Sequence, residues 1–243
     1  MPSILALVAA LASIPISHLP AMANDRPSII EPRMRLPPAL SGPRVALTFD
    51  ACSGAVDERI LAFLIDNRIP ATIFVTGRWL KHNKSALDRL KAHPDLFEIE
   101  DHGALHVPAV DVATSIFGIK AAGTTQAVLA EVEGGSRAII EAGFARPTWY
   151  RGATARYTES AILAIERAGY RLAFYSVNGD EGAAISARET ERRIAAARDG
   201  DVILAHLNQP RHPAGFGVIA GIARLKAAGY SFVTLEQAMG PRM

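Results

Sequence analysis

The chain has 243 residues, 49% hydrophobic and 21% charged, with 26 basic against 24 acidic side chains. These proportions exclude a disordered, collagenous or fibrous protein. A net charge of +2 is too small to point to nucleic acid or an anionic membrane as partner. The single cysteine, Cys52, excludes both a disulfide framework and a Cys-rich zinc module.

In chain order, residues 4–16, ILALVAALASIPI, come first; they are apolar but shorter than the ~20 residues that cross a bilayer. Pro20-Ala21-Met22-Ala23 then offers a small-x-small cleavage site. Residues 1–23 therefore read as a signal peptide, even though no Lys or Arg precedes the apolar run. That implies a secreted or periplasmic protein with no stable membrane span after cleavage. Residues 24–43 form a Pro-rich lead-in, with five prolines between positions 27 and 43, either extended along the domain or serving as a tether.

From residue 44 to 243 one domain is expected, in which short β-branched or aromatic runs alternate with amphipathic stretches. The runs predict strands over Val45–Phe49, Ala71–Val75, Leu96–Ile99, Thr148–Tyr150, Leu172–Val177, Val202–Ala205 and Ser231–Leu235. The amphipathic stretches predict helices over Asp57–Asp66, Lys84–Ala92, Thr125–Ala142, Glu159–Ala168, Ala187–Ala197 and Val218–Ala228. Gly143, Gly169 and Gly229 follow three of these helices, where a left-handed cap is wanted. Residues 107–123 fit neither period and read as a loop with a short helix. Strands joined through helices imply right-handed crossovers and a parallel sheet. With no nucleotide-binding glycine fingerprint, this α/β pattern favours a closed or nearly closed barrel over a doubly wound sheet.

Reactive side chains of such a barrel come from the C-terminal ends of its strands. Those ends carry Asp50, the His102–His106 region, Arg151, Asp180 and His206. His102-Gly-Ala-Leu-His106 places two imidazoles four residues apart, on one face of a helical turn, a pair that suits a borderline-soft divalent metal. Asp101 is placed to hold one of the rings. Other candidates have plainer readings. Trp79 and Trp149 read as core, and His82, His93 and His212 as surface. Arg188–Arg198, interleaved with Glu189 and Glu191, reads as a solvated face.

At these residues the chain resembles the polysaccharide deacetylases with a NodB homology domain, carbohydrate esterase family 4. Thr48-Phe49-Asp50 resembles the first half of the Thr-Phe-Asp-Asp motif. Glu98-Ile99-Glu100-Asp101-His102-Gly-Ala-Leu-His106, followed by Pro108, resembles the paired-histidine metal motif. Tyr150-Arg151 is similar to the start of the arginine motif, Tyr175–Asp180 to the aspartate motif and Ile203-Leu204-Ala205-His206 to the Leu-x-His motif. The likeness spans about residues 44–236 and implies a distorted (β/α) barrel of seven or eight parallel strands. It further implies a divalent metal, zinc foremost, on His102, His106 and Asp50. Asp50 would be general base and His206 general acid, with Arg151 and Asp180 orienting the pair and a backbone N–H after Arg151 facing the oxyanion.

The chain also departs from the family pattern. Ala51 replaces the second aspartate, commonly a metal ligand. Three substitutes stand open: Asp50 itself, waters, or the thiolate of Cys52, which otherwise reads as a small residue packed under the loop, or as a nucleophile with His206 as base. Arg151-Gly-Ala-Thr replaces Arg-Pro-Pro-Tyr, with Tyr157 a substitute for the lost aromatic wall. Asn178 stands where an acid is common, which leaves Asp180 as the expected partner of Arg151. The expected activity is metal-dependent removal of N-acetyl, or O-acetyl, groups from a cell-wall or extracellular glycan. The alternatives are hydrolysis of a small amide or imide on the same barrel, and a metal-free glycan-binding module.

Overall fold

The computed structural model describes residues 28–38 and 42–240. The expected signal peptide over residues 1–23 lies outside the described residues. The chain runs β1 (Ile29–Ile30), β2 (Arg44–Ala51), α1 (Glu58–Asp66), β3 (Ala71–Val75), α2 (Gly77–His82), α3 (Lys84–Ala92) and β4 (Phe97–Asp101). It continues through β5 (Ser115–Ile116), β6 (Ile119–Lys120), α4 (Thr125–Glu141), β7 (Trp149–Tyr150), a 3-10 turn (Ala153–Ala155), β8 (Tyr157–Thr158) and α5 (Glu159–Arg167). It closes with β9 (Arg171–Leu172), β10 (Val177–Asn178), α6 (Ala187–Ala195), β11 (Val202–His206), α7 (Ala214–Ala227), β12 (Ser231–Val233) and α8 (Leu235–Met239).

The main sheet has the order β10-β11-β2-β3-β4-β7-β9, every pair parallel, and β12 also pairs with β2. It curls into a half-closed barrel flanked by helices, which agrees with the nearly closed barrel expected from the alternating pattern and with the distorted (β/α) barrel that the family resemblance implies. Strand β2 is the hub, because β11, β3 and β12 all bond to it. Its pleat sends Val45, Leu47, Phe49 and Ala51 into one buried cluster with Ile60 and Leu64 of α1 and Val218 and Ile222 of α7. Ala46 belongs to a second cluster with Phe74, Leu172, Val202 and Leu204. Burial on both faces explains why these strands read as nearly continuous apolar runs. Trp79 and Trp149 are both buried, as expected of core residues.

Several boundaries differ from expectation for identifiable reasons. The single strand expected over Leu172–Val177 is two short pieces, β9 and β10. Between them the backbone crosses the barrel's seam, bonding at Ala173 N–H to Tyr150 O (2.9 Å) and at Ser176 N–H to Val202 O (3.0 Å). The described lead-in lies along the domain, meeting this seam at Tyr175, and is not a free tether. Met34 N–H reaches Tyr175 O (3.3 Å), Leu36 N–H reaches Gly200 O (2.7 Å), and β1 pairs antiparallel with β8. Residues 107–123 hold the hairpin β5–β6, with no helix, turned at Phe117 and Gly118, both in the left-handed region. The last strand ends at Val233, because Thr234 and Gln237 form a reciprocal cap that starts α8. The helix expected from Val218 begins four residues earlier, at Ala214. The expected caps at Gly143, Gly169 and Gly229 are present, with φ of 86°, 101° and 82°.

Helix α4 seats directly on the loop after β4. A Cβ on its Gly135 would meet Asp101 Oδ1 at 2.0 Å and the Gly103 carbonyl carbon at 2.7 Å. In an exposed helix, Gly→Ala adds about 1 kcal/mol of stability. Here overpacking reverses the sign, so Gly135→Ala is expected to lower unfolding free energy by ~1–3 kcal/mol. Urea unfolding checks this, and an unchanged or raised midpoint would contradict the packing described.

Candidate active site

Along β2 the pleat that buries Ala51 outward turns Thr48 and Asp50 toward the barrel's interior, with Cys52 following beyond the strand end. Asp50 and Cys52 line a cavity of about 700 Å³ at the C-terminal ends of the strands. His106, His206, Asn178, Thr154, Tyr175 and Asn208 line it too. The cavity's outer part is formed by Phe117, Ile119, Arg156 and Glu31. Phe117 is 77% exposed on the hairpin tip, and the Arg156 guanidinium lies 5.7 Å from its ring centre.

Arg151, at the end of β7, has no solvent exposure. Its guanidinium donates to Asp50 Oδ1 (2.9 Å), Thr48 Oγ1 (2.9 Å) and the carbonyls of Ala173 and Phe174 (3.3 Å each), and it stacks 4.3 Å from the Phe74 ring centre. Its own carbonyl accepts from His102 Nδ1 at 2.7 Å. A carbonyl can only accept, so Nδ1 carries the proton, and in the neutral ring Nε2 holds the lone pair. That nitrogen lies 3.6 Å from Asp50 Oδ2 and 3.4 Å from Cys52 Sγ.

The two histidines do not share a helical turn. Gly103 and His106 adopt φ of 88° and 66°, so the segment is a loop. It nevertheless brings the rings to a centre distance of 5.0 Å in an edge-on arrangement. Ligand atoms of Cys52, His102 and His106 all lie within 4.8 Å of one another. Two imidazoles and a thiol are a donor set that suits a borderline-soft divalent cation. Asp50 stands beside this set, one oxygen already held by Arg151.

Asp180 is not the partner of Arg151. Its Oδ1 lies 2.8 Å from His206 Nδ1 and its Oδ2 accepts the His206 backbone N–H at 2.7 Å. Gly179 N–H bonds to Leu204 O (2.8 Å), which places Asp180 beside the end of β11, whereas Arg151 meets Asp50 from β7. Asp101 does not hold a histidine ring either. Alternation along β4 turns it outward under α4, where Oδ1 accepts the Gly103 N–H at 2.7 Å. Tyr157 cannot form an aromatic wall, because it is fully buried and its hydroxyl accepts the Gly152 N–H at 2.8 Å. The same bond commits the first backbone N–H after Arg151, so it does not face the cavity as an oxyanion donor. Cys52 is half-buried at the cavity rather than packed beneath a loop. Glu31 and Phe117 escaped sequence reasoning, since one lies in the lead-in and the other in an aperiodic stretch.

The electrostatics of the site are coupled. Burial pushes the Asp50 carboxyl up, but His102, Arg151 and His206 outweigh it and hold the group below its ordinary value. Burial disfavours charge on His102, yet Asp50 and Cys52 raise its pKa to about 9. His206 is likewise raised well above the ordinary histidine value, burial being overcome chiefly by Asp180. Burial would raise the Cys52 thiol, but the surrounding imidazoles bring it well below its usual range. The site thus pairs an ionised carboxylate with a protonated imidazole.

The polysaccharide deacetylase family model matches residues 38–173. Among solved structures, the carbohydrate esterase family 4 domain of a multidomain xylanase from the hindgut metagenome of Trinervitermes trinervoides is 22% identical, with a TM-score of 0.67 over 82% of this chain and 90% of that one. A deacetylase solved with substrate is 26% identical, with a TM-score of 0.64 over 81% and 90%. A family 4 pseudoenzyme from Bacillus anthracis is 18% identical, with a TM-score of 0.64 over 82% and 66%. No curated protein matches the chain. With the motif residues gathered at one strand-end cavity and the family model covering more than half of the sequence, this chain belongs to the polysaccharide deacetylase family.

Proposed function

We propose that the protein is an exported, zinc-dependent hydrolase that removes acetyl groups from a cell-wall or extracellular glycan, by cleavage of an N-acetyl amide or an O-acetyl ester. The observation that carries this reading is geometric: Asp50, held by Arg151, and His206, held by Asp180, line one cavity with Cys52 and His106 of the cluster Cys52, His102 and His106. His102 and His106 would hold the ion, which when bound polarises the acetyl carbonyl and acidifies a water.

The chain's own residues supply the proton movements. Asp50, fixed by Arg151 through Oδ1, has Oδ2 to accept the proton of the attacking water. His206, its Nδ1 held by Asp180, has Nε2 to protonate the departing amine or alkoxide. Arg151 touches neither water nor leaving group in this scheme; it positions Asp50 and keeps it charged. Gly152 is committed to Tyr157, so the left-handed turn at Thr154, which lines the cavity, takes the oxyanion role expected after Arg151. Exposed Phe117 offers a flat apolar face on which a sugar ring can stack at the cavity's outer edge.

Ala51 and the likeness to a pseudoenzyme favour a second reading, glycan binding without turnover. Acetate release from N-acetylglucosamine oligomers and acetylated glycans separates the two. Turnover should be lost on chelation, restored by zinc, and abolished in His102→Ala. Folded protein that binds glycan equally well with and without metal, and releases no acetate, would support the second reading.

Two further outcomes follow from the acid–base arrangement. Asp180 raises the His206 pKa, so His206 keeps its proton to higher pH and loses catalytic competence only as pH rises through that raised value. Asp180→Asn should move the alkaline limb of the kcat profile to lower pH and leave the acid limb, set by Asp50, in place. A profile shifted at the acid limb alone would contradict these assignments. Removing one member of a buried ion pair strands the other charge, at a cost of about 3–5 kcal/mol. Arg151→Ala is expected to lose that much unfolding free energy, and Asp50→Asn in the same background should recover part of it. Equal stability of wild type and Arg151→Ala would refute the pair's role.

A further inference from the structure

We infer that the metal is held by Cys52 Sγ together with His102 and His106, a thiolate-containing site in place of the aspartate–histidine–histidine set implied by the family motif. This inference rests on the metal-dependent reading above and specifies its third protein ligand.

The pleat of β2 carries the argument. Ala51 is fully buried in the cluster shared with α1 and α7, so no side chain of residue 51 faces the cavity on this backbone. Cys52 lines the cavity alongside Asp50. Its position is fixed by main-chain contacts: Thr76 Oγ1 donates to Cys52 O at 2.5 Å and Thr76 N–H to Ala51 O at 3.2 Å. The loop is pinned further on, where Asn208 Nδ2 donates to Ser53 O. Asn208 Oδ1 remains buried with no partner and belongs to a residue that lines the same cavity.

The histidines present ligand-type nitrogens to this sulfur. His102 Nδ1–H is spent on the Arg151 carbonyl, which aims the Nε2 lone pair of the neutral ring toward Cys52 Sγ at 3.4 Å. Donors around a tetrahedral zinc at ~2.0–2.3 Å stand roughly 3.3–3.8 Å apart. The 3.4 Å separation falls in that range, and the 4.8 Å limit on the whole set asks for only small side-chain adjustments. Asp50 is the poorer third ligand, because Oδ1 is held by Arg151 and a ligating Asp50 would lose its freedom to take a proton. A sulfur donor also sets selectivity: zinc and cobalt(II) should be preferred to magnesium, calcium or manganese.

Cobalt(II) tests this directly, because a cobalt–thiolate bond gives an intense near-ultraviolet charge-transfer band that nitrogen and oxygen ligands do not. The intact chain, stripped of metal and titrated with cobalt(II), should show that band saturating at one equivalent. Zinc should displace the band, and bound zinc should protect Cys52 from a thiol-specific disulfide reagent. Cys52→Ser should bind zinc at least ~100-fold more weakly, beyond the ~10–100-fold that loss of a hydrogen-bond partner of a ligand costs. Cys52→Asp should bind cobalt without the charge-transfer band. Stoichiometric cobalt binding by the wild type with no such band and a freely reactive thiol overturns the inference and leaves metal-dependent hydrolysis standing. Acetate release that survives chelation but is abolished by alkylation of Cys52 overturns both, and points to the thiol as nucleophile.

Discussion

A buried guanidinium must be met by an anion and by acceptors for its remaining N–H groups, and in this barrel Arg151 meets that demand by drawing the site together. Burying an ion pair costs several kcal/mol per ion after relaxation. The offset comes from the full set of contacts: Asp50 and Thr48 of β2, the carbonyls of Ala173 and Phe174, and the face of Phe74 of β3. One side chain from β7 thereby touches β2, β3 and the seam beyond β9. Its main chain meanwhile sets the tautomer and direction of His102. The setting of Asp50, the orientation of His102 and closure of the barrel thus share a single residue.

The second constraint is alternation along the strands. On β2 it assigns Ala51 to the helix-facing core and Cys52 to the cavity. On β4 it puts His102 at the site and Asp101 beneath α4. The departure from the Thr-Phe-Asp-Asp pattern, read as a string, removes a ligand. Read on the pleat, it moves the candidate donor one residue along and changes its chemistry from oxygen to sulfur. The lead-in follows the same logic of closure, since Met34 bonds to Tyr175 at the seam between β9 and β10, Leu36 to Gly200 before β11, and β1 pairs with β8.

Much of the architecture is legible in the sequence. Buried parallel strands leave continuous apolar runs, and helices that pack on one face leave a 3.6-residue period; both survive in a linear string. Boundaries failed where backbone conformation, and not hydrophobicity, decides. The crossing at residues 173–176, the cap at Thr234 and the hairpin at Phe117 carry no periodic signal. Strand-end position singled out Asp50, His102, His106, Arg151, Asp180 and His206, and the structure brings all six to one region. One partnership differs from expectation: Asp180 meets His206 and not Arg151, because motif order says nothing of which strand end each side chain faces.

The sequence by itself determined the parallel barrel, the family and the residue types offered at the cavity, because these follow from periodicity and motif order along the chain. Tertiary structure alone decided the partnerships: Asp50 with Arg151, Asp180 with His206, and Cys52 among the imidazoles. Those depend on strand register and pleat, which set side-chain direction across strands far apart in sequence. The lone cysteine shows the difference most plainly. In composition it only excluded a disulfide framework; in the fold its sulfur lies beside two histidines, because position 52 lies one residue past the point where β2 turns its side chain away from the site.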